Sequence, residues 1–479
     1  MSERRVRGWA LALTSAAFLM VTLDALVVVT ALPAIQRDLH ASVGTLEWTI
    51  NAFTLAYAAG IITAASLGDR FGRRRIFAAG IALFTTASAA CALAPSTGLL
   101  VAARAVQGAG AAMVMPLSLT LLAAAFPAER RATIVGIWGG IAGLGVAGGP
   151  LVGGAVTQGL DWHWIFWINV PIGIAATILA RLKLADSRGP ATSIDLPGVA
   201  LIGGGATALV WGLTRAGDLG WASAQAIIFI AAGLVLIAAF LAWQRRARAP
   251  MMPLRLFASR TFAAANATAF LMSATIFAAA FLVVQYFQFA LGNSPLAAGL
   301  RLLPWTATPL VVAPLAGLLS DRIGPRLVLA SGMLLQGAGL IWVAALATTP
   351  AAYPSFIAPL VIAGTGISMA LPVAPAAALS AVPPADLGKA SGINSTLQRF
   401  GSAFGVAIAT TVFTANGHLA TPASFTAGLR PALQAAAAMS LAGVLTALAV
   451  KPSAHAAAAA QTAPGVAAAP ELTSAPKTP

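Results

Sequence analysis

The sequence predicts an all-α polytopic membrane protein built from two six-helix bundles, with two extra central transmembrane helices between them. Three observations lead there. Of 479 residues, 59% are hydrophobic and only 9% charged, with a mean hydropathy of +0.87; no soluble chain of this length could cover so much apolar surface. Apolar runs of roughly 17 to 25 residues, enough to cross a bilayer, occur fourteen times, near 9–31, 46–67, 76–94, 99–122, 133–157, 164–180, 195–214, 222–243, 262–289, 298–319, 327–347, 354–379, 391–413 and 432–450. Finally, the charged turn Asp69-Arg70-Phe71-Gly72-Arg73-Arg74, between the second and third runs, has a weaker copy in Asp321-Arg322-Ile323-Gly324-Pro325-Arg326. If 9–180 and 262–450 are repeated bundles, both turns fall at the same place in each.

The charges orient this plan. A net charge of +15 would point to nucleic acid in a soluble protein, but here the basic residues cluster in short loops, where they report topology. With the N-terminus inside, every Lys and Arg is cytoplasmic except Arg37, Arg215, Arg301 and Arg430 outside and Arg104 within a span. The expected organisation is a cytoplasmic N-terminus (1–8), a first bundle (9–180), an inserted pair with flanking cytoplasmic loops (181–261), a second bundle (262–450) and a tail (451–479). Rich in Ala, Pro, Thr and Ser, the tail is expected to be disordered and cytoplasmic. Arg4, Arg5 and Arg7 before the first run mimic a signal peptide, yet the run is long and holds Asp24, so a retained span is expected. One cysteine, Cys91, within an apolar run excludes a disulfide, and four scattered histidines argue against a metal cluster.

Five elements in chain order are similar to the major facilitator superfamily, and within it to its fourteen-span drug:proton antiporters, over about residues 9–450. The charged turn resembles Gly-x-Leu-x-Asp-Arg-x-Gly-Arg-Arg, with Leu67, Asp69, Arg70, Gly72, Arg73 and Arg74 in place and Ala65 where Gly is usual. Leu23 to Pro33 resembles Leu-Asp-x-Thr-x-Val-x-x-Ala-Leu-Pro, with Leu26 for the Thr. Arg104-Ala105-Val106-Gln107-Gly108-Ala109-Gly110 resembles the element that family uses in proton coupling. Gly145, Gly149, Pro150, Gly153 and Gly154 match Gly-x-x-x-Gly-Pro-x-x-Gly-Gly, an element of exporters rather than importers. Trp162 to Pro171 resembles Trp-Arg-Trp-Ile-Phe-x-Ile-Asn-x-Pro, with His163 in the Arg place. The resemblance implies a major facilitator fold and a proton-coupled exporter of hydrophobic drugs, acting by alternating access.

The residues supply their own reasons. Asp24 lies about 15 residues into an outward-running helix and Arg104 about five into an inward-running one, so both sit roughly 8–11 Å below the outer surface. Charged groups at that depth need a partner or water and mark pathways by default. Asp24 is expected either to take and release a proton as its distance from Arg104 changes or to form a static pair with it. Asn51, at similar depth, and Gln107, one turn below Arg104, could complete the patch, each as a helix contact or a ligand contact. The glycines at 145, 149, 153 and 154 form a packing stripe around the bend at Pro150, which could also set how tightly the halves close. Asp69 at a helix end and Arg73 at a helix start oppose the helix dipoles. Asp69 is therefore expected to latch the cytoplasmic side shut against the other half near Gly388 to Ser395 and to be released on switching, with Arg70, Gly72, Arg73, Asp321 and Arg322 in the two latch turns.

Trp138, Gln285, Tyr286, Gln288, Trp305, Asn394 and Gln398 are polar or aromatic positions suited to lining a cavity for amphipathic molecules. Trp9, Trp162, Trp164 and Trp221, near span ends, are expected to be interface anchors. No acid other than Asp24 reads as deep in a span, so a neutral, monovalent or zwitterionic lipophile is expected rather than a divalent cation. No phosphate-binding Gly-x-x-x-x-Gly-Lys-Ser loop is present, which argues against ATP drive, and no catalytic constellation argues for an enzyme. The expectation is a monomeric cytoplasmic-membrane exporter with no cofactor, powered by the proton gradient, its partners substrate, protons and lipid, and not nucleic acid. Other readings are an importer, facilitator or metabolite exporter on the same scaffold, or a membrane protein that transports nothing.

Overall fold

The computed structural model describes residues 3–126, 128–188, 194–348, 351–383 and 386–451. Its helices are α1 (Glu3–Leu39), α2 (Val43–Phe71), α3 (Arg73–Ala92), α4 (Thr97–Ala125), α5 (Ala128–Gly159), α6 (Trp164–Trp167), α7 (Asn169–Lys183), α8 (Leu196–Leu219), α9 (Ala224–Arg246), α10 (Arg260–Gln285), α11 (Pro295–Thr306), α12 (Thr308–Ile323), α13 (Pro325–Leu346), α14 (Pro354–Ser380), α15 (Leu387–Asn416) and α16 (Pro422–Leu448). Residues 452–479, the expected tail, lie outside the described residues. Helix ends are called inner and outer below by the orientation the basic loops predict.

Among the described residues, twelve helices are long and apolar enough to cross a membrane, with α6–α7 and α11–α12 each counted once. The expected fourteen runs also include α5 and α15, helices of 32 and 30 residues that fall outside that set. Of these, α15 carries Lys389, Asn394, Gln398 and Arg399 along its length.

Polar residues just before the helices explain where many begin. The side chains of Ser42, Ser96, Ser223, Ser259, Ser294 and Thr421 each accept a hydrogen bond from the backbone N–H three residues on, satisfying donors that no helical carbonyl can reach. Both charged turns are built alike. Gly72 and Gly324 adopt φ +107° and +88°, and each donates its N–H back to the carbonyl four residues earlier, a geometry that disfavours any side chain. The expected run 298–319 is instead two helices, broken at Ala307 between Pro304 and Pro309. Proline removes a donor and clashes with the preceding turn.

In the first half α2 and α3 pack along α4, and α1 along α5; in the second, α10 packs along α15 and α13 along α14 and α16. Residues 196–246 form a hairpin, α8 against α9, with α8 resting on α2 and α15. Asp195 holds the hairpin's inner end. It caps Gly198 N and accepts from Trp243 Nε1 at 2.7 Å and Gln244 Nε2 at 2.6 Å. Burial opposes ionisation of Asp195, but these donors outweigh it and keep the carboxyl below its usual range.

Candidate functional site

Asp24 on α1 and Arg104 on α4 meet, as their depths predict. Nη1 of Arg104 lies 2.5 Å from Asp24 Oδ2, and each side chain is only 1% exposed. Oδ1 accepts from Gln107 Nε2 and from Asn169 Nδ2, both at 2.9 Å. Gln107 also donates to Ser88 Oγ at 2.8 Å. Arg104 Nε donates to the Thr49 carbonyl of α2 at 2.9 Å, and its guanidinium lies 4.3 Å over the Phe53 ring. An ion pair in the apolar interior is tolerated only when its remaining polar atoms are satisfied in this way. Asn169 stood in a recognised sequence element but was given no role there; it is brought in by the break between α6 and α7.

A cavity of about 170 Å³ lies between the halves, lined by Thr22, Leu26 and Val29 of α1, Pro150, Phe277 of α10, Trp305 and Thr306 at the helix break, Ile367, and Gln398, Arg399 and Ser402 of α15. Its wall is apolar with a few polar atoms. The Thr22 hydroxyl and Trp305 Nε1 are buried without a hydrogen-bond partner. Groups so placed are open to a ligand's polar atoms. Arg399, counted from sequence among the cytoplasmic loop charges, instead faces this cavity with its guanidinium 4.6 Å over the Tyr57 ring. Among the described residues no carboxylate lines the cavity. Asp24 is not part of the wall either; it occupies a different face of α1 from Leu26.

Of the residues expected in the cavity, Trp305 and Gln398 are there. Asn394 is one step behind, accepting from Gln398 at 2.6 Å and donating to Asn266 of α10. Others lie elsewhere. Trp138 stacks on Phe18, ring centroids 3.9 Å apart. Gln285 turns back to its own Phe281 carbonyl, and Tyr286 donates to the Thr348 carbonyl within an aromatic cluster with Phe287 and Phe356. Gln288 bridges the halves by donating to the Thr30 carbonyl at 2.8 Å. Asn51 binds Glu47 at 2.6 Å. Glu47 adds a second fully buried acid, near the end of a span rather than deep in it. It is fully buried because α8 covers α2. Trp162 is likewise no interface anchor. It is 3% exposed and donates to Asp38 at 2.9 Å, whereas Trp164 and Trp221 are 50% and 60% exposed.

The glycine stripe packs α5 on two partners. A methyl group on Gly149 would lie 2.7 Å from Leu26 Cβ, and one on Gly153 2.7 Å from the Val27 carbonyl oxygen. At Gly145 the nearest atom, on Leu19, is 3.1 Å away. Gly154 faces the other half, where an added methyl group would lie 2.8 Å from the Pro295 carbonyl carbon of α11, and Gly299 of α11 faces Pro150 in return. The two halves are therefore in backbone contact at their outer ends.

At the inner end the expected latch across the halves is not made. Asp69 pairs with Arg73 at 2.8 Å, because the left-handed turn at Gly72 brings the next helix back over it. Arg74 donates to the Leu184 carbonyl, and Arg75 faces Asp186 at 3.7 Å. Arg70 lies over Phe71. Asp321 and Arg322 are exposed. In the second half Arg255 grips Asp386 in a two-pronged pair at 2.8 and 2.6 Å. That guanidinium holds the Asp386 carboxyl below the usual carboxylate range.

The sequence pattern of the Major Facilitator Superfamily matches residues 13–244 and 265–477. The chain is 39% identical over 342 residues to the tetracenomycin C resistance and export protein of Streptomyces glaucescens, spanning 71% of this chain and 64%, less than two thirds, of that protein. It is 36% identical over 404 residues to the multidrug resistance protein Stp of Mycobacterium tuberculosis (84% of this chain, 75% of Stp). With a puromycin resistance protein of Streptomyces alboniger it shares 35% over 414 residues (85% and 82%). Among solved structures, a peptide transporter in complex with sulfate aligns with TM-score 0.67 at 14% identity, over 94% of this chain and 99% of that one. A bacterial homologue of the human lysosomal transporter Spinster, inward-facing and unoccupied, aligns with TM-score 0.66 at 16% identity, over 93% and 97%. At such identities these two speak to the fold alone.

Proposed function

Because the chain belongs to the Major Facilitator Superfamily, and so is a multi-pass membrane transporter rather than an enzyme, we propose that it exports small amphipathic drugs or antibiotics across the cytoplasmic membrane in exchange for protons. The names of its relatives support the cargo class. The observation that carries the mechanism is that α1 presents two faces: Asp24, buried against Arg104, Gln107 and Asn169, and Thr22, Leu26 and Val29 on the cavity wall. Proton and substrate do not share a pocket. They share a helix.

In this scheme Asp24 protonates from the outer side, the pair with Arg104 loosens, and α1 shifts against α5 along the glycine stripe, changing the cavity on its other face. The closed outer seam at Gly154 and Gly299, with no ion pair across the inner ends among the described residues, is the arrangement expected when the cavity is exposed to the cytoplasm. Arg399 without a carboxylate in the cavity favours neutral or anionic aromatic cargo over cationic dyes. The test is flux into inverted vesicles: an imposed proton gradient should drive uphill accumulation in wild type, and Asp24→Asn should abolish it. Equal downhill flux in both would overturn the antiport reading.

A further inference from the structure

A second buried acid is left unused by that mechanism. Glu47 lies one turn into α2 and is 0% exposed. Among the described residues no Lys, Arg or His comes within ion-pair distance of it. The charges around it give it no counter-ion. On α8, Asp218 carries the same sign, and Arg215 is directed to Asp218 at 3.9 Å and over the Trp211 ring. On α4, Arg104 is committed to Asp24 and the Thr49 carbonyl. The stretch of α15 packed here offers Thr410 and Thr411 and no titratable group.

The hydrogen bonds at Glu47 come from neutral side chains and supply no counter-charge to a buried carboxylate. Asn51 Nδ2 donates to Oε1 at 2.6 Å. The hydroxyls of Thr214 and Thr410 also face the carboxyl; Thr214 Oγ1 lies 3.2 Å from both carboxyl oxygens, but also 3.0 Å from the Val210 carbonyl. A hydroxyl has one proton, and a carbonyl can only accept. With the proton toward Val210, the Thr214 oxygen can only accept from Glu47, which requires a protonated carboxyl. If Glu47 ionises, Thr214 must turn its proton from Val210 to the carboxylate. Beyond Thr214 lies a second cavity of about 220 Å³, whose wall includes Ser42, Trp48, Trp211 and Asp218; Ser42 and Asp218 are exposed at the outer end. The cavity thus leads from the outer face to Thr214, the residue in contact with Glu47.

We propose that Glu47 is a second proton-binding site, loaded from the outer side through the cavity between α2 and α8, whose proton fixes the contact of α2 with the inserted hairpin. The turn of α2 from Glu47 to Asn51 also holds Thr49, the carbonyl that Arg104 grips. The site therefore communicates with the Asp24 cluster through a single helical turn. Its protonation does not depend on Asp24 being a carrier or on export.

The test reads the proton directly. Infrared difference spectroscopy of the full chain in lipid nanodiscs, stepped upward from neutral pH, should show loss of a neutral carboxyl band that Glu47→Gln removes and Asp24→Asn retains. A band unchanged by Glu47→Gln overturns the proposal, whatever vesicle flux shows for Asp24. Should Glu47→Gln not fold, wild type labelled with dicyclohexylcarbodiimide, which adds to protonated carboxyls, should carry the adduct on Glu47, less as pH rises. No adduct on Glu47 at any pH where the chain stays folded overturns it equally.

Discussion

Asp24 and Leu26 stand two residues apart on α1 yet face different compartments, Asp24 paired with Arg104 and Leu26 lining the cavity between the halves. In the proposed exchange, coupling between them is mechanical, carried by the position of α1 against α4 and α5.

Removing either member of the buried pair should cost stability as well as coupling. Asp24→Asn leaves the guanidinium without a counter-charge and Arg104→Gln leaves the carboxylate, each a loss of about 3–5 kcal/mol. The double variant Asp24→Asn/Arg104→Gln should recover much of that in thermal unfolding while remaining uncoupled in vesicles. A double variant that regains proton-driven uptake would make the pair a strut.

The outer seam should resist opening in proportion to how closely its backbones meet. Gly154→Val places a side chain against Pro295, an overpacking of about 1–3 kcal/mol, which shifts the balance between outer-closed and outer-open states by roughly 5- to 150-fold. In a Cys91→Ala background, a cysteine at Gln158 should then react faster with an impermeant thiol reagent. Gly159→Val, with nothing within 4 Å of the added atom, is the control and should leave labelling unchanged.

Arg399 should select cargo by charge. Arg399→Gln removes a charged hydrogen-bond donor, and anionic aromatic substrates should lose about 1.5–3 kcal/mol of binding, roughly 10- to 150-fold in half-saturating concentration, with neutral ones little changed. Arg399→Glu should move preference toward cationic dyes, measured as dye efflux in cells.

The Arg255–Asp386 pair should show its worth as a pH dependence. The folded-state pKa of Asp386 is depressed, so its contribution is fully present above the unfolded value of about 3.9. It is lost as pH falls through the lower folded value. The melting temperature of Asp386→Asn should therefore lie below wild type at neutral pH, and the gap should close under acid conditions. A gap independent of pH would mean that the hydrogen bonds, not the charge, hold the pair.

Asp24, Arg104, Gln107 and the glycine stripe were legible in the sequence because charge or backbone inside an apolar run is costly without a dedicated partner, so their mere presence at a given depth announces a site. The repeat of the two glycine turns was legible for a similar reason: Gly72 and Gly324 mark where the chain must take a left-handed step. What the sequence left open was which face meets which neighbour. Glu47, second in the expected run 46–67, carries no signal of burial in the sequence, and only the docking of α8 buries it. Charge counting put Arg399 in the cytoplasm, and only the packing of α15 against α2 and α10 turns it into the cavity. Asp69 is expected from sequence to latch and release, and its partner here, Arg73 across the turn at Gly72, is set by the fold. Composition and spacing fix how far along its helix a residue lies; azimuth and partner depend on contacts between segments distant in sequence, which tertiary packing alone supplies.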